Sequence, residues 1–181
     1  MDEKHPTYPI VSYGITKLTI EKYLYMYERI HGIKAITLRV TNPYGERQRI
    51  ETAQGAVGVF VYHALRDIPI EIWGDGSVAR DYIHVSDVAD TFSKALKYQG
   101  VERLFNVSSG IGTSVNELVS RIENVLGKQI QRNYLPGRPF DVPINILCNK
   151  LAKRELNWNP AVSIDEGIAR TAQWMKLELA P

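Results

Sequence analysis

The chain has 181 residues, enough for one domain with a sizeable hydrophobic core or for a small domain with an appendage. Its 22 basic and 20 acidic residues leave a net charge of +2, which gives no electrostatic footprint for nucleic acid. With 44% hydrophobic and 23% charged residues, no apolar run approaches the about 20 residues of a membrane span. The charged first residues are unlike a secretory signal, so we expect a cytoplasmic protein with no membrane and no nucleic-acid partner.

The amino-terminal third of the sequence predicts a helix, a strand and a second helix. Residues 13–31 carry apolar side chains near helical spacing, and Gly32 supplies a stop. The β-branched run 33–40 is typical of a buried strand. After a polar loop, a helix is predicted over residues 55–67.

Short strands and capped helices are predicted for the rest of the chain. Strands are expected at 70–73, 81–85, 104–109 and 128–135, and a short helix at 150–156. Ser86 is expected to cap a helix that runs to residue 98. Two capping boxes, Ser114 with Glu117 and Ser163 with Glu166, open helices that end near residues 127 and 175.

This alternation of helices and strands indicates an α/β fold. A doubly wound sheet normally begins with a strand, a glycine-rich loop and a helix, but this sequence contains no G-x-G-x-x-G. The nearest segment, SSGIGTS, offers only Gly110 and Gly112. We interpret it as a connecting turn, and a phosphate cradle is the alternative.

The spacing of Tyr13 and Lys17 in SYGITK offers acid/base chemistry. Residues at i and i+4 share a helix face, so the phenol and the ammonium can point into one site. A neighbouring positive charge stabilises a phenolate, which suits the pair to moving a proton from a hydroxyl. On spacing alone, an amphipathic helix with a solvated lysine is favoured.

Several longer blocks of sequence favour the acid/base pair over a solvated lysine. They are SYGITK, VTNPYGERQ, IPIEIWGDGSVARDYIHVSDVADTFSKAL, LFNVSSGIGTSVNELVSRI, GRPFDVPINIL and AKRELNWNPAVSIDEGIARTAQWM. In this order and spacing the sequence resembles the extended short-chain dehydrogenase/reductase family, in its sugar-nucleotide epimerase and dehydratase branch. It looks closest to the UDP-glucose 4-epimerases, and the resemblance covers essentially the whole chain.

The resemblance implies catalytic and cofactor-binding roles at the amino end. Tyr13 matches the tyrosine that acts as base for the sugar hydroxyl, and Lys17 matches the lysine that holds the nicotinamide ribose. Pro43 lies where the family places a residue beside the nicotinamide. The implied cofactor is NAD, the implied reaction is epimerisation at C4 of a UDP-hexose through a 4-keto sugar, and no metal is implied.

Six further residues match substrate-binding positions of the family. They are Asn42 on the pyrophosphate, Glu71 and Trp73 at the nucleotide base, Arg80 and Arg138 on the diphosphate, and Asp141 on the ribose hydroxyls. A diphosphate suits two guanidinium forks, because each makes paired, charge-assisted hydrogen bonds. Taken singly, Arg80 could instead pair with Asp81 or Asp87, and Asp141 could cap a turn.

The resemblance also implies an incomplete Rossmann-type doubly wound sheet, without its amino-terminal half, plus a smaller α/β substrate-binding domain. Residues 1–50 would be the remaining part of the dinucleotide-binding domain that carries Tyr-x-x-x-Lys. Residues 51–181 would be mainly the nucleotide-sugar domain, with some segments returning to the Rossmann sheet. The family places its glycine-rich loop before this motif, yet only twelve residues precede Tyr13. We therefore expect a fragment that binds NAD weakly or not at all and is inactive alone.

Other functions remain open at this point. The nearest is a sugar-nucleotide 4,6-dehydratase or decarboxylase of the same family. A different class is a non-catalytic nucleotide-sugar-binding module, or half of a split enzyme. Phe140 stands where many relatives have glycine, and Asn145 lies where the family varies pocket size, so the sugar is not fixed. A homodimer or a complementary amino-terminal chain is the expected protein partner, because a missing half would leave an apolar helix face uncovered.

Overall fold

The structure is a computed structural model that describes residues 1–49, 55–138 and 141–179. Helices and short strands alternate along these ranges, which confirms the predicted α/β class. The helices are α1 (Ser12–His31), α2 (Ala56–Leu65), α3 (Val85–Lys97), α4 (Val115–Leu126), α5 (Lys150–Glu155) and α6 (Ile164–Glu178). The strands are β1 (Thr37–Val40), β2 (Asn42–Tyr44), β3 (Ile70–Trp73), β4 (Ala79–His84), β5 (Leu104–Val107), β6 (Gly112–Ser114), β7 (Arg132–Leu135) and β8 (Ile144–Asn145).

Most strand pairs are parallel, as expected where helices connect the strands. β1 pairs with β5, β3 pairs with β7, and β4 pairs in parallel with both β2 and β8. The pairing of β4 with β6 is antiparallel. β4 therefore joins segments from three parts of the chain, and its register places Arg80 opposite Asn145.

Buried apolar side chains form two clusters. One joins α2, α4 and α6 to β3, and Val61, Leu118 and Ile168 are fully enclosed in it. The other packs the β1–β5 pair against α5 and the residues after it, around Phe105 and Trp158. Each of these fully buried side chains contributes about 1.5–3 kcal/mol relative to an exposed one.

Helix α1 is attached to the rest of the fold by ion pairs rather than by a core. It begins and ends as predicted, and Gly32 takes the left-handed conformation (φ 68°) that stops it. None of its residues is buried, and its large exposed apolar side chains include Tyr23 and Ile30. No helix in the described ranges is long and apolar enough to cross a membrane.

Three predicted helix caps have different outcomes. The box of Ser114 and Glu117 is complete, with both reciprocal hydrogen bonds. Ser163 caps α6 through the Glu166 amide, but the Glu166 carboxylate turns to Arg170, so only half of that box forms. The prediction that Ser86 caps α3 is wrong. β4 extends to His84, whose imidazole accepts the Ser86 amide and so takes the cap position.

Candidate functional site

Tyr13 and Lys17 lie together on one face of α1. The Lys17 Nζ is 5.3 Å from the centroid of the Tyr13 ring, which is within cation–π range. Tyr13 is 74% exposed, so its phenol is open to a bound molecule. The predicted proximity of phenol and ammonium is present, and the catalytic role of the pair stays a prediction.

A cavity of about 500 Å³ lies beside α1. Its lining includes Lys17 from the helix, Asn106 from β5, Val142 and Asn145 from just before and within β8, and several residues of the segment 1–9. Tyr13 is not part of this lining. The volume is that of a small-molecule site, and the position predicted to vary pocket size, Asn145, faces it.

The charged residues of the cavity that the sequence did not predict include an ion pair between α1 and β1. Glu21 receives two hydrogen bonds from Arg39, at 2.8 and 2.7 Å, and this pair joins α1 to β1. Both residues line the cavity beside Lys17. The hydrogen bond to Glu21 raises the pKa of Arg39 above its ordinary value. A signal was available, because Glu21 follows Lys17 by four residues and so shares its helix face.

Arg80 is hydrogen-bonded to a residue in the wall of the same cavity. Its Nη1 donates to the carbonyl oxygens of Ala79 at 3.0 Å and Val142 at 2.5 Å, and Val142 lines the cavity. A guanidinium has five N–H donors, and the remaining ones bind no residue in the described part of the chain. Asn42 is close by, because its Nδ2 donates to the Asp81 carbonyl at 2.8 Å.

Neither aspartate considered as a partner of Arg80 pairs with it. The buried Asp81 carboxylate accepts the Ser109 and Gly110 amides and the Ser109 hydroxyl, at 2.7–3.0 Å. Burial raises the pKa of Asp81 above its ordinary value, while these hydrogen bonds oppose the rise. The Asp87 carboxylate accepts amides from residues 161 and 162. The amides of the SSGIGTS turn are thus used internally, which supports a connecting turn over a phosphate cradle.

Trp73 and Arg138 meet at the ends of β3 and β7. The Arg138 guanidinium carbon lies 4.0 Å from the centroid of the Trp73 ring system, in a stacked cation–π contact. Along β3, Ile70 and Ile72 are buried while Glu71 and Trp73 are exposed, so the last two share the open face of the strand.

Asp141 follows closely on Arg138. Its amide donates to the Arg138 carbonyl at 3.2 Å, so its backbone closes the turn. The carboxylate is exposed and makes no hydrogen bond with described residues. The alternative that Asp141 caps a turn with its side chain therefore gains no support. The predicted departure at Phe140 lies outside the described residues.

The structure brings some of the predicted site residues together. Lys17 and Asn145 line the large cavity, Arg80 binds the wall residue Val142, and Arg138 stacks on Trp73. Pro43 is separate, since it lines a smaller cavity of about 240 Å³ beside Val85. No group of three or more acidic, histidine or cysteine residues in the described ranges could hold a metal ion.

The family of this chain follows from a match to a protein-family model. The model of the NAD dependent epimerase/dehydratase family matches residues 1–108, more than half of the chain. The protein belongs to this family. The matched region contains Tyr13, Lys17 and Arg80, while Arg138 and Asp141 lie after it.

Individual members of the epimerase/dehydratase family align over nearly all of the chain. It is 39% identical to the dTDP-4-dehydro-6-deoxyglucose reductase of Escherichia coli, over 88% of this chain and 51% of that protein. It is 34% identical to the UDP-glucose 4-epimerase of Mycolicibacterium smegmatis, over 96% of this chain and 56% of that protein. A crystal structure of UDP-glucose 4-epimerase with UDP-glucose from Thermotoga maritima matches with a TM-score of 0.95 and 36% identity, over 99% of this chain and 58% of that one.

The relatives that align with this chain are longer than it is. The chain spans about half the length of the relatives it matches. The agreement in fold with a Rossmann-type epimerase confirms the predicted doubly wound architecture over this span. The relatives carry out different reactions on nucleotide sugars, so the family alone does not select the reaction.

Proposed function

We propose that this chain forms the nucleotide-sugar site and the proton-transfer pair of an NAD-dependent enzyme that epimerises UDP-hexoses at C4. The observation that carries the proposal is the stack of Arg138 on Trp73, taken together with the cavity that Lys17 lines and whose wall residue Val142 is bound by Arg80. The similarity to epimerases of UDP-glucose supports this choice of substrate.

The binding roles follow from the chemistry of the exposed groups. Trp73 offers an aromatic face to a nucleotide base, with Glu71 beside it on the same strand face. Arg138 and Arg80 present guanidinium groups to the diphosphate, which they bind through charge-assisted hydrogen bonds. The Asp141 carboxylate accepts hydrogen bonds from the ribose diol. Asn42 contacts the pyrophosphate from β2.

Tyr13 and Lys17 manage the proton of the reaction. Tyr13 takes the proton from the sugar 4-hydroxyl as the C4–H bond breaks, and Lys17 stabilises the phenolate electrostatically. The resulting 4-keto sugar turns over beside Tyr13. Tyr13 then returns the proton to the carbonyl oxygen, and the configuration at C4 is inverted.

The described residues fit NAD only in part. A bound NAD would supply the reversible hydride acceptor for C4, with return of the hydride to the opposite face of the sugar. Lys17 and Tyr13 would hold the nicotinamide end, whereas Pro43, which the resemblance assigns to the nicotinamide, lines a separate cavity. The sequence has no G-x-G-x-x-G, and the amides of Ser109 and Gly110 already bind Asp81. The 181-residue chain tested alone should therefore bind UDP far better than NAD.

Calorimetry with uridine diphosphate tests the nucleotide site. The purified chain should bind it, and Arg138→Ala should weaken binding about 10- to 100-fold, since charge-assisted hydrogen bonds contribute about 1.5–3 kcal/mol. Arg154→Ala is the matched control, because Arg154 is an exposed arginine on α5. Absence of any binding, or equal loss in both variants, would refute the site.

A second reaction is favoured by one relative. The E. coli reductase of a dTDP-linked keto sugar is 39% identical, so a reductase, dehydratase or decarboxylase of the same site is the runner-up. These reactions are separated by product analysis on UDP-glucose with a completed enzyme, in which this chain is joined to the amino-terminal part of a related epimerase. Epimerisation yields only the C4 epimer. Binding of UDP without activity in any completed enzyme would favour a non-catalytic module.

We further propose the domain division and the partner surface. Residues 1–50 belong to the dinucleotide-binding part, and β5 supports the idea that later segments return to it, because it pairs with β1. The remaining residues form mainly the sugar-nucleotide part. α1 has no buried residue, so its apolar face is expected to meet a complementary amino-terminal part or a second copy.

A further inference from the structure

The turn after β3 packs directly against the loop that carries Arg138. The Gly74 amide donates to the Leu135 carbonyl at 2.9 Å. A side chain at Gly74 would place its Cβ 3.7 Å from the Gly137 Cα, so the turn and the loop lie about one side-chain atom apart. Trp73 directly precedes this contact and Arg138 directly follows it. The position of the turn therefore fixes the spacing of the stacked pair.

Asn116 holds that turn from the side of α4. Its Nδ2 donates to the Asp75 carbonyl at 2.8 Å, and its backbone amide donates to the Gly76 carbonyl at 3.1 Å. Its Oδ1 accepts the Tyr134 hydroxyl at 2.9 Å, which ties it to β7. The fit is close, because a side chain at Gly76 (φ 76°) would collide with the Asn116 amide.

The Asn116 side chain is not needed to begin its own helix. The amino terminus of α4 is already capped on both sides by Ser114 and Glu117. An asparagine in the first turn would ordinarily compete for that capping role. Here it reaches out of the helix and joins the β3 turn to the β7 strand, which are the two supports of Trp73 and Arg138.

We infer that Asn116 is a positioning residue for the nucleotide site, acting through the β3 turn on the Trp73–Arg138 stack. The inference rests on the proposed function, since it assumes that the stack binds the nucleotide. In the described part of the chain, Asn116 makes no hydrogen bond to either stacked side chain. Its side chain fixes the turn on one side and Tyr134 on the other, and so keeps the open face of β3 aligned with Arg138.

The test compares Asn116→Ala with Asn124→Ala, an exposed asparagine on the same helix. Both variants are titrated with uridine diphosphate at a temperature where circular dichroism shows them folded. Asn116→Ala should weaken binding about tenfold, as expected for lost hydrogen bonds to a supporting turn, and Asn124→Ala should not. Tyr134→Phe, which removes one of these bonds, should fall in between. A purely structural role would change the melting temperature but leave the affinity of the folded protein unchanged.

Tryptophan fluorescence without ligand gives an independent readout. Trp73→Phe identifies the emission of Trp73, and iodide quenching of that emission should rise in Asn116→Ala as the stack loosens. If the wild type binds uridine diphosphate and Asn116→Ala binds it equally well, the inference is wrong and the proposed function stands. If the wild type does not bind it, the proposed function is wrong, and unchanged quenching would overturn the positioning role as well.

Discussion

Replacing Tyr13 by phenylalanine should lower the turnover of a completed enzyme about 10²- to 10⁴-fold, the usual contribution of a positioned acid/base group. Tyr13 lies beside Lys17 and is open to a bound sugar, so its phenol is the group proposed to take the proton of the sugar 4-hydroxyl. The completed enzyme joins this chain to the amino-terminal part of the M. smegmatis UDP-glucose 4-epimerase. Interconversion of UDP-glucose and its C4 epimer is measured.

Tyr23→Phe is the matched control, because Tyr23 is an exposed tyrosine on the same helix. Its activity should equal that of the parent. The joined protein should also sediment as a defined species, whereas the 181-residue chain alone should self-associate through the uncovered face of α1. Full activity of Tyr13→Phe, or of the 181-residue chain alone, would contradict the proposed division of roles.

Replacing Asp87 by alanine should destabilise the fold by about 3 kcal/mol, which is about 6–12 °C in melting temperature for a chain of this size. The buried Asp87 carboxylate accepts the amides of Ala161 and Val162 at 3.0 and 3.1 Å. The backbone carbonyl of Asp87 accepts the indole N–H of Trp158 at 3.1 Å. The substitution leaves two amides unpaired and loosens the segment that encloses Trp158.

Asp90→Ala is the control for this loss. Asp90 is an exposed aspartate on the same helix, paired with Lys94 at 3.3 Å, and such surface pairs contribute at most about 1 kcal/mol. Thermal and urea unfolding of the two variants are compared. Equal stabilities would show that the carboxylate does not hold the carboxyl-terminal segment in place.

Features encoded by nearby residues could be predicted from the sequence. The 3.6-residue period located α1, Gly32 ended it, and the alternation of Ile70 and Ile72 with polar neighbours fixed β3 to the residue. The capping box at Ser114 is likewise a local pattern. Each depends on hydrogen bonds or side-chain faces within a few positions of the chain.

Features that depend on long-range pairing could not be predicted. The cap of α3 is His84 rather than Ser86, because β4, paired with β2, ends at His84 and the helix already begins at Val85. β1 begins at Thr37 rather than residue 33, because its partner strand begins at Leu104. The same holds for the Asp81 network, whose donors come from a distant turn.

The candidate site likewise contains some features that local sequence predicts and others that depend on distant parts of the chain. The i,i+4 spacing brought Tyr13 and Lys17 together, and the resemblance selected Trp73 and Arg138, yet only the fold shows that the last two stack. Asn116 left no local signal, because its partners lie on a β-turn and on a strand from other parts of the chain. The binding roles of all these residues remain predictions.

The most direct test of the account follows the indole N–H resonances of the three tryptophans by NMR as UDP-glucose is added. Trp73→Phe assigns the first, and Trp158, with no exposed surface, serves as an internal reference. A large, saturable shift of the Trp73 resonance is expected, with Trp158 and Trp174 unmoved, and Arg138→Ala should need about 10- to 100-fold more ligand to reach it. A saturable shift confined to Trp174, or no shift at any ligand concentration, would contradict the account.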